Sequence, residues 1–222
     1  MSRQPQIRYR IWFGKTGPLQ YTSHLDLART WERTLRRAQA HLIYSQGYNP
    51  RPRIQLAAAL PLGYVSTCEI IDIWLMANHT TQPEELLHRL RKSAPLGLMV
   101  TRIEQIPLSS PALPATVRTA TYEVRIKERI SASEVARRVE ALLGKVSHLQ
   151  ERRGKVYDLR PLIQHLSVAD TEGLTLRMTL TTSQDAGTGR PDTVVAALGL
   201  SPHQAHVVRT SLNLEQDNAT EE

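Results

Sequence analysis

Residues 7–38, IRYRIWFGKTGPLQYTSHLDLARTWERTLRRA, place a strand pattern directly before a helix pattern. Residues 7–13 alternate apolar and polar side chains, which is typical of a strand with one buried face. Ser23 followed by Asp26 resembles a capping box at the start of a helix. Apolar residues then recur at three- and four-residue steps, which predicts one buried stripe: Leu25, Ala28, Trp31, Leu35 and Ala38.

The pattern continues through the first half of the chain. Turn-forming residues at 45–53 (SQGYNPRPR) predict a loop, and strands are expected at 54–60 and 69–75. Pro83 with two glutamates behind it predicts a second helix over 83–93, and a fourth strand follows at 98–106. This βαββαβ order predicts a ferredoxin-like domain over residues 1–106.

The second half repeats the element order without visible residue identity. Proline and serine at 107–116 (PLSSPALPAT) predict a linker. A second ferredoxin-like domain is then expected over 117–214, so that the predicted fold class is α+β with antiparallel sheets. Its expected strands are 121–127, 149–160, 174–182 and 206–214, with 162–168 joining or extending the middle two, and its expected helices are 131–143 and 191–198. Residues 215–222 hold four acids and no Lys or Arg, which predicts an acidic disordered tail.

The charge balance is basic, with 28 Lys and Arg against 21 Asp and Glu. A basic protein attracts polyanions through counterion release, which favours a nucleic-acid ligand. The alternative is an ordinary solvated surface. The chain begins without an apolar signal-peptide core and has no apolar stretch long enough to span a membrane, so a cytoplasmic location without membrane contact is expected.

The single cysteine, Cys68, excludes several kinds of chemistry. One cysteine forms neither a disulfide framework, nor the three-cysteine iron–sulfur site of a radical-SAM enzyme, nor a structural zinc finger. A lone cysteine in an apolar strand is usually a core residue. The eight histidines are interpreted as surface residues rather than metal ligands, and no cofactor is expected.

The loop after the first helix is the most unusual segment. Tyrosine can stack on unpaired bases, and arginine can pair with phosphate or stack on a base. The alternative is a rigid loop whose tyrosines fold onto the core. The candidate RNA- or partner-binding residues here are Tyr44, Ser45, Gln46, Gly47, Tyr48, Asn49, Arg51 and Arg53.

Further basic residues extend this candidate surface. The first helix contributes Arg29, Arg33, Arg36 and Arg37, and the second half contributes Arg152, Lys155, Arg160 and Arg190. Strand-edge charges that discourage aggregation are the alternative for the second group. His24, at the helix start, is a candidate for acid–base catalysis or phosphate contact, because helix N-termini favour anions. Ser23 and Asp26 are explained by capping alone.

A family resemblance runs through almost the whole chain. Its first-half motifs are Ser23-His24-Leu25-Asp26, Tyr44-Ser45-Gln46-Gly47-Tyr48-Asn49-Pro50-Arg51-Pro52, Leu60-Pro61-Leu62-Gly63 and Glu69, and its second-half motifs are Lys155, Asp158-Leu159-Arg160-Pro161, Arg190-Pro191 and Arg209-Thr210. These resemble the radical-SAM-linked protein family, a bacterial domain of unknown function. Members are encoded beside, or fused to, a radical-SAM enzyme, so the resemblance implies such a partner. This chain has Arg51 where the family more often has histidine, and Tyr48 where phenylalanine is common.

Three functions follow from these observations. The first is a non-catalytic accessory protein that binds RNA and presents it to a radical-SAM enzyme. The second is an interaction subunit that docks the enzyme without RNA contact. The third is a metal-independent endoribonuclease using His24, by fold-level analogy with the tandem ferredoxin-like endoribonucleases that process CRISPR transcripts.

Overall fold

The computed structural model describes residues 5–79, 82–170, 173–183 and 185–215. The chain divides into two compact units, Met1–Thr116 with Glu215–Glu222 (unit 1) and Val117–Leu214 (unit 2). Both units combine helices with antiparallel strands, so the predicted α+β class is confirmed. The predicted acidic tail, apart from Glu215, lies outside the described residues. Within those residues, no helix is long and apolar enough to cross a membrane.

Unit 1 follows the predicted element order. Its elements are β1 (Gln6–Lys15), α1 (His24–Arg37), β2 (Ile54–Leu56), β3 (Val65–Met76), α2 (Pro83–Ser93), β4 (Leu98–Ile106) and the short α3 (Leu113–Thr116). The strands lie in the order β4-β1-β3-β2 and every pairing is antiparallel. The second strand is shorter than the predicted 54–60, and the third begins four residues earlier than predicted. The proline- and serine-rich residues 107–116 belong to unit 1 and include α3.

Helix α1 begins as the sequence indicates. The Ser23 hydroxyl accepts a hydrogen bond from the Asp26 N–H at 3.1 Å, which satisfies one of the free N–H groups of the first turn. Trp31 and Leu35 are fully buried, and Trp31 meets Phe13 edge to face. The prediction of Leu25 in the buried stripe is wrong, because Leu25 is 65% exposed and Leu27 takes the core position.

The second face of β1 is buried rather than exposed. The alternation over residues 7–13 places Arg8 and Arg10 on this face, and both are almost inaccessible to solvent. Both guanidinium groups donate to the carboxylate of Asp72 on β3, at 2.6 to 3.0 Å. Arg8 also donates to the carbonyls of Ser110 and Pro111. Charge pairing and these carbonyls replace the solvent that the arginines would otherwise need.

Unit 2 contains β5 (Val117–Ile126), α4 (Ala132–Leu143), β6 (Leu149–Arg152), β7 (Lys155–Asp158), β8 (Ile163–Asp170), β9 (Leu174–Ser183), β10 (Gly187–Thr188), α5 (Pro191–Ala197) and β11 (Ala205–Leu214). Strand β5 lies between β11 and β9, and β9 also pairs with β8 and β10. All of these pairings are antiparallel.

One strand predicted for unit 2 is wrong. Residues 149–160 do not form a single strand but a hairpin of β6 and β7 that makes a separate two-stranded sheet. The chain reverses at Arg153 and Gly154, whose φ angles of 51° and 75° suit the tight turns that join twisted strands. Strand β8, which overlaps the predicted segment 162–168, pairs with β9.

Candidate functional site

The segment 44–53, here called the tyrosine-proline loop, is closed by hydrogen bonds between its two ends. The Ser45 N–H donates to the Arg51 carbonyl at 2.8 Å, and the Arg51 N–H donates to the Ser45 hydroxyl at 3.0 Å. Tyr44 and Pro52 form an isolated antiparallel bridge just outside this pair. The loop is therefore a small closed structure rather than an extended connection.

Backbone hydrogen bonds fasten the base of the loop to strand β3. The Arg53 N–H donates to the Ile43 carbonyl. The Trp74 carbonyl accepts from the Ile43 N–H, and the Trp74 N–H donates to the Arg53 carbonyl. The Arg53 guanidinium also lies over the Trp74 ring, 4.3 Å from its centroid. A buried tryptophan thus fixes one arginine of the loop in a cation–π contact.

The tip of the loop projects into solvent. Tyr48 is completely exposed, and Tyr44 is 41% exposed. The interpretation in which both tyrosines fold onto the core is therefore wrong. Gln46, Gly47, Asn49 and Arg51 are exposed beside them, so the tip presents an aromatic ring between amide and guanidinium groups.

The end of helix α1 lies at the same end of unit 1 as the base of the loop. After the helix, the His41 carbonyl accepts from Met76 at the end of β3, and Leu42 pairs with Leu75. Arg33 and Arg36 are exposed on the last turns. Arg37 donates to the Ser93 carbonyl at the end of α2 at 2.7 Å. Arg29, nearer the start, pairs with Asp26.

His24 is exposed at the opposite end of the unit. The base of the loop lies at Trp74, opposite Arg8 at the start of β1, whereas Lys15 at the end of β1 binds the Thr22 carbonyl just before α1. Arg8 and Lys15 are seven residues apart along β1, which corresponds to roughly 20 Å between the base of the loop and the start of α1. Tyr48 at the loop tip is five residues from Ile43 and from Arg53, so it reaches at most about 17 Å from the base. The structure therefore does not bring His24 and the loop together.

Asp26, beside His24, serves the helix start. Its carboxylate accepts from the Ser23 hydroxyl, and this bond lowers the pKa of Asp26, with Arg29 adding to the effect. Capping thus accounts for Asp26 as the sequence indicates.

The candidate residues of unit 2 divide into two kinds. Arg152 and Lys155 are exposed and face each other across the β6–β7 hairpin. Arg160 instead donates to the carbonyls of Leu143 and Ile163. Arg190 makes a two-pronged ion pair with Asp192. The last two side chains are held by local structural bonds, whereas the hairpin cations are presented to solvent.

Arg153 belongs to the same predicted basic stretch as Arg152 and Lys155 and lies at the turn of the hairpin. Two basic residues escaped the sequence analysis. Arg89 and Lys92 on α2 line a cleft with Arg37. Nothing in their local sequence marks them, because the cleft forms only where two helices end together.

Neither metal binding nor cysteine chemistry has a candidate site among the described residues. The part of the chain that the structure describes contains no group of three or more His, Cys, Asp or Glu residues placed to hold a metal ion. Cys68 is half-buried and lies 3.5 Å from the Ser66 hydroxyl.

The strand pairings and the exposed loop define an α+β protein that presents a basic loop to solvent. The chain belongs to the family described as an uncharacterized protein conserved in bacteria (DUF2344), whose model matches residues 8–191. No curated protein matches the chain.

Many solved chains are similar to this chain, and two of them are described here. A Cbf5-Nop10-Gar1 complex matches with a TM-score of 0.50 and 8% identity, covering 94% of this chain and 50% of that chain. An archaeal box H/ACA sRNP Nop10-Cbf5 complex matches with a TM-score of 0.45 and 9% identity, covering 94% and 49%. The chain spans about half the length of these matched chains. At 8% identity, the similarity to the Cbf5-Nop10-Gar1 complex concerns the fold alone. The first of these structures is not a CRISPR endoribonuclease, so it does not support the analogy drawn from the sequence.

Proposed function

We propose that this protein is a non-catalytic accessory factor that binds unpaired RNA and presents it to a radical-SAM enzyme. The observation that supports RNA binding most strongly is the tyrosine-proline loop, with its closed backbone and its fully exposed Tyr48. The proposed enzyme partner rests on the family resemblance of the loop and helix motifs.

The closed loop suits a ligand that must be stacked. Both faces of the Tyr48 ring are accessible, and each base stacked on such a ring contributes about 1–3 kcal/mol. Because hydrogen bonds already hold Ser45 and Arg51 together, the loop loses less backbone freedom on binding than an open loop of the same length would. Stacking accepts any base, so the proposal specifies unpaired RNA rather than one sequence.

The surrounding charges suit the RNA backbone. Arg51 stands exposed beside the ring, and Arg33 and Arg36 are exposed at the same end of unit 1. Arginine binds phosphate through a planar fork of donors. A stacked base and a neighbouring phosphate would thus meet complementary groups on one surface.

Binding of labelled single-stranded RNA, followed by fluorescence anisotropy across a salt series, tests this proposal. Arg33→Gln with Arg36→Gln should weaken binding and flatten its salt dependence, because each lost phosphate contact reduces the salt slope by about 0.7. Lys127→Gln with Arg129→Gln removes the same charge from exposed positions in unit 2 and should change binding less. Salt-independent binding that both double variants retain in full would contradict the proposal.

A second candidate function, docking of a partner protein without RNA, is favoured by an apolar patch. Tyr21, Leu25 and Leu62 are each more than 60% exposed. The Gly63 N–H donates to the Gln20 carbonyl at 2.8 Å, which holds the turn of Leu62 beside that of Tyr21. Exposed apolar clusters of this kind mark interaction surfaces.

Affinity purification from the native cells, with and without RNase, separates the two candidates. Recovery of a radical-SAM enzyme that resists RNase but is lost in Leu25→Glu would favour protein docking. Recovery of one RNA class that is lost in Tyr48→Ala would favour RNA binding. Cleavage of RNA that disappears in His24→Ala would instead establish the nuclease alternative.

A further inference from the structure

The ends of helices α1 and α2 border an open cleft of about 540 Å³ in unit 1. Residues from three short segments line it: Arg37, Ala38, Gln39, Arg89, Lys92, Ser93, Ala94 and Pro95. Among these described lining residues, three are cationic and none is acidic. This volume falls in the range of pockets that hold small molecules and cofactors.

The charge of the cleft remains positive despite the helix ends. Each helix C-terminus contributes roughly half a negative charge, so the two ends together offset only about one of the three cations. Arg37 further reduces the negative partial charge at the end of α2, because its guanidinium donates to the Ser93 carbonyl there at 2.7 Å. That bond also fixes the position of the Arg37 side chain at the cleft wall.

We propose that this cleft binds the phosphate group of a nucleotide. Arg37 and Arg89 supply planar guanidinium donors, and Lys92 supplies a compact ammonium. Ala38, Ala94 and Pro95 add small, largely apolar walls that a sugar or base can contact. The identification of the phosphate as part of RNA rests on the proposed function, whereas phosphate binding itself does not.

Titration of the full chain with uridine 5′-monophosphate, with uridine as the phosphate-free control, tests the site by calorimetry or by amide chemical shifts. The monophosphate should bind and uridine should not. Arg89→Gln with Lys92→Gln should lower the affinity by about tenfold or more, because hydrogen bonds to charged groups are lost. Lys92→Glu alone changes only an exposed position and keeps the test valid if the double variant misfolds.

Arg91→Gln is the matched control for Lys92→Gln alone. Both variants remove one positive charge from the same helix, but the Arg91 guanidinium donates to the Val100 and Thr101 carbonyls on β4 and is not part of the cleft wall. Equal binding of uridine and its monophosphate would overturn the proposal. So would an equal loss of affinity in the Arg91→Gln and Lys92→Gln variants.

A parallel titration with single-stranded RNA, with and without a 5′-phosphate, identifies the source of the phosphate. Loss of both nucleotide and RNA binding in Lys92→Glu supports an RNA phosphate in the cleft. Loss of nucleotide binding alone supports a free nucleotide as the ligand. RNA binding that depends on Tyr48 while the monophosphate fails to bind overturns the cleft site and leaves the proposed function standing.

Discussion

The two units expand the same connection in different ways. In unit 1 the chain between the first helix and the second sheet strand carries the tyrosine-proline loop, and in unit 2 the corresponding chain between α4 and β8 carries the β6–β7 hairpin. Both segments are exposed and basic. The loop, however, presents an unburied aromatic ring, whereas the hairpin presents Arg152, Arg153 and Lys155 around a tight turn.

The hairpin keeps its own aromatic ring close to the unit. Tyr157 lies opposite Gln150, on the same face as Arg152 and Lys155, but its hydroxyl reaches Thr193 at 3.4 Å and the residue is half-buried. The difference suggests a division of roles. The loop has the means to stack bases, and the hairpin has the means to attract a phosphate backbone.

The largest expected effect comes from removing the buried support beneath the loop. Asp72→Ala leaves Arg8 and Arg10 buried without their carboxylate partner, which should reduce the free energy of unfolding by about 3–5 kcal/mol. All three tryptophans lie in unit 1, so urea unfolding followed by tryptophan fluorescence reports on this unit.

Asp185→Ala is the control for this variant, because Asp185 is exposed in unit 2. It should change stability by less than about 0.5 kcal/mol. A stable Asp72→Ala protein with an unchanged unfolding midpoint would show that the ionic cluster does not support the unit that carries the loop.

The aromatic side of the comparison is tested by Tyr48→Ala. Loss of one stacked base should weaken binding of single-stranded RNA by about 1–3 kcal/mol, or roughly 5- to 150-fold. The salt dependence should stay the same, since no charge is removed. Tyr48→Phe keeps the ring and should bind almost normally. Anisotropy titrations at several salt concentrations measure both quantities, and equal weakening in both variants would argue against stacking.

Sequence patterns predicted the elements that depend on local chemistry. The Ser23 cap, helix α2 and strand β4 appear where periodicity and start signals place them. Contacts between residues far apart in the sequence could not be predicted in this way. Arg8 and Arg10 look like surface residues until Asp72, more than sixty positions away, supplies their carboxylate.

The hairpin and the cleft also depend on features that sequence patterns do not reveal. The sequence predicts a single strand over residues 149–160, but Gly154 is unfavourable inside a strand and the turn at Arg153 and Gly154 divides the segment into two strands. The exposure of Tyr48 was one of two open interpretations, because sequence alone does not tell whether a loop ring turns inward. Arg89 and Lys92 join Arg37 only through the packing of two helices.

Removing positive charges from the hairpin should have a smaller effect on RNA affinity. Arg152→Gln with Lys155→Gln removes two exposed cations from the hairpin. If both contact phosphates, the slope of the logarithm of RNA affinity against that of salt should fall by about 1.4 for a single strand. Affinity should change equally for every RNA sequence, as measured with two unrelated oligonucleotides. An unchanged slope would assign RNA binding to unit 1 alone.

The smallest expected effect concerns the attachment of the hairpin to unit 2. The Asp158 carboxylate accepts from the N–H groups of His148 and Arg160, at 2.8 and 3.0 Å, and the His148 bond is the main cause of its lowered pKa. A carboxyl whose pKa is lower in the folded state stabilises that state at higher pH and loses the effect as pH falls. The amide signals of His148 and Arg160 should therefore titrate together by NMR, with a midpoint below the ordinary Asp value of 3.8. In Asp158→Asn this titration should vanish while the loop amides of unit 1 keep their shifts. A midpoint at or above the ordinary value would show that the carboxylate does not hold the hairpin, and the two exposed segments would then differ in how firmly they are fixed.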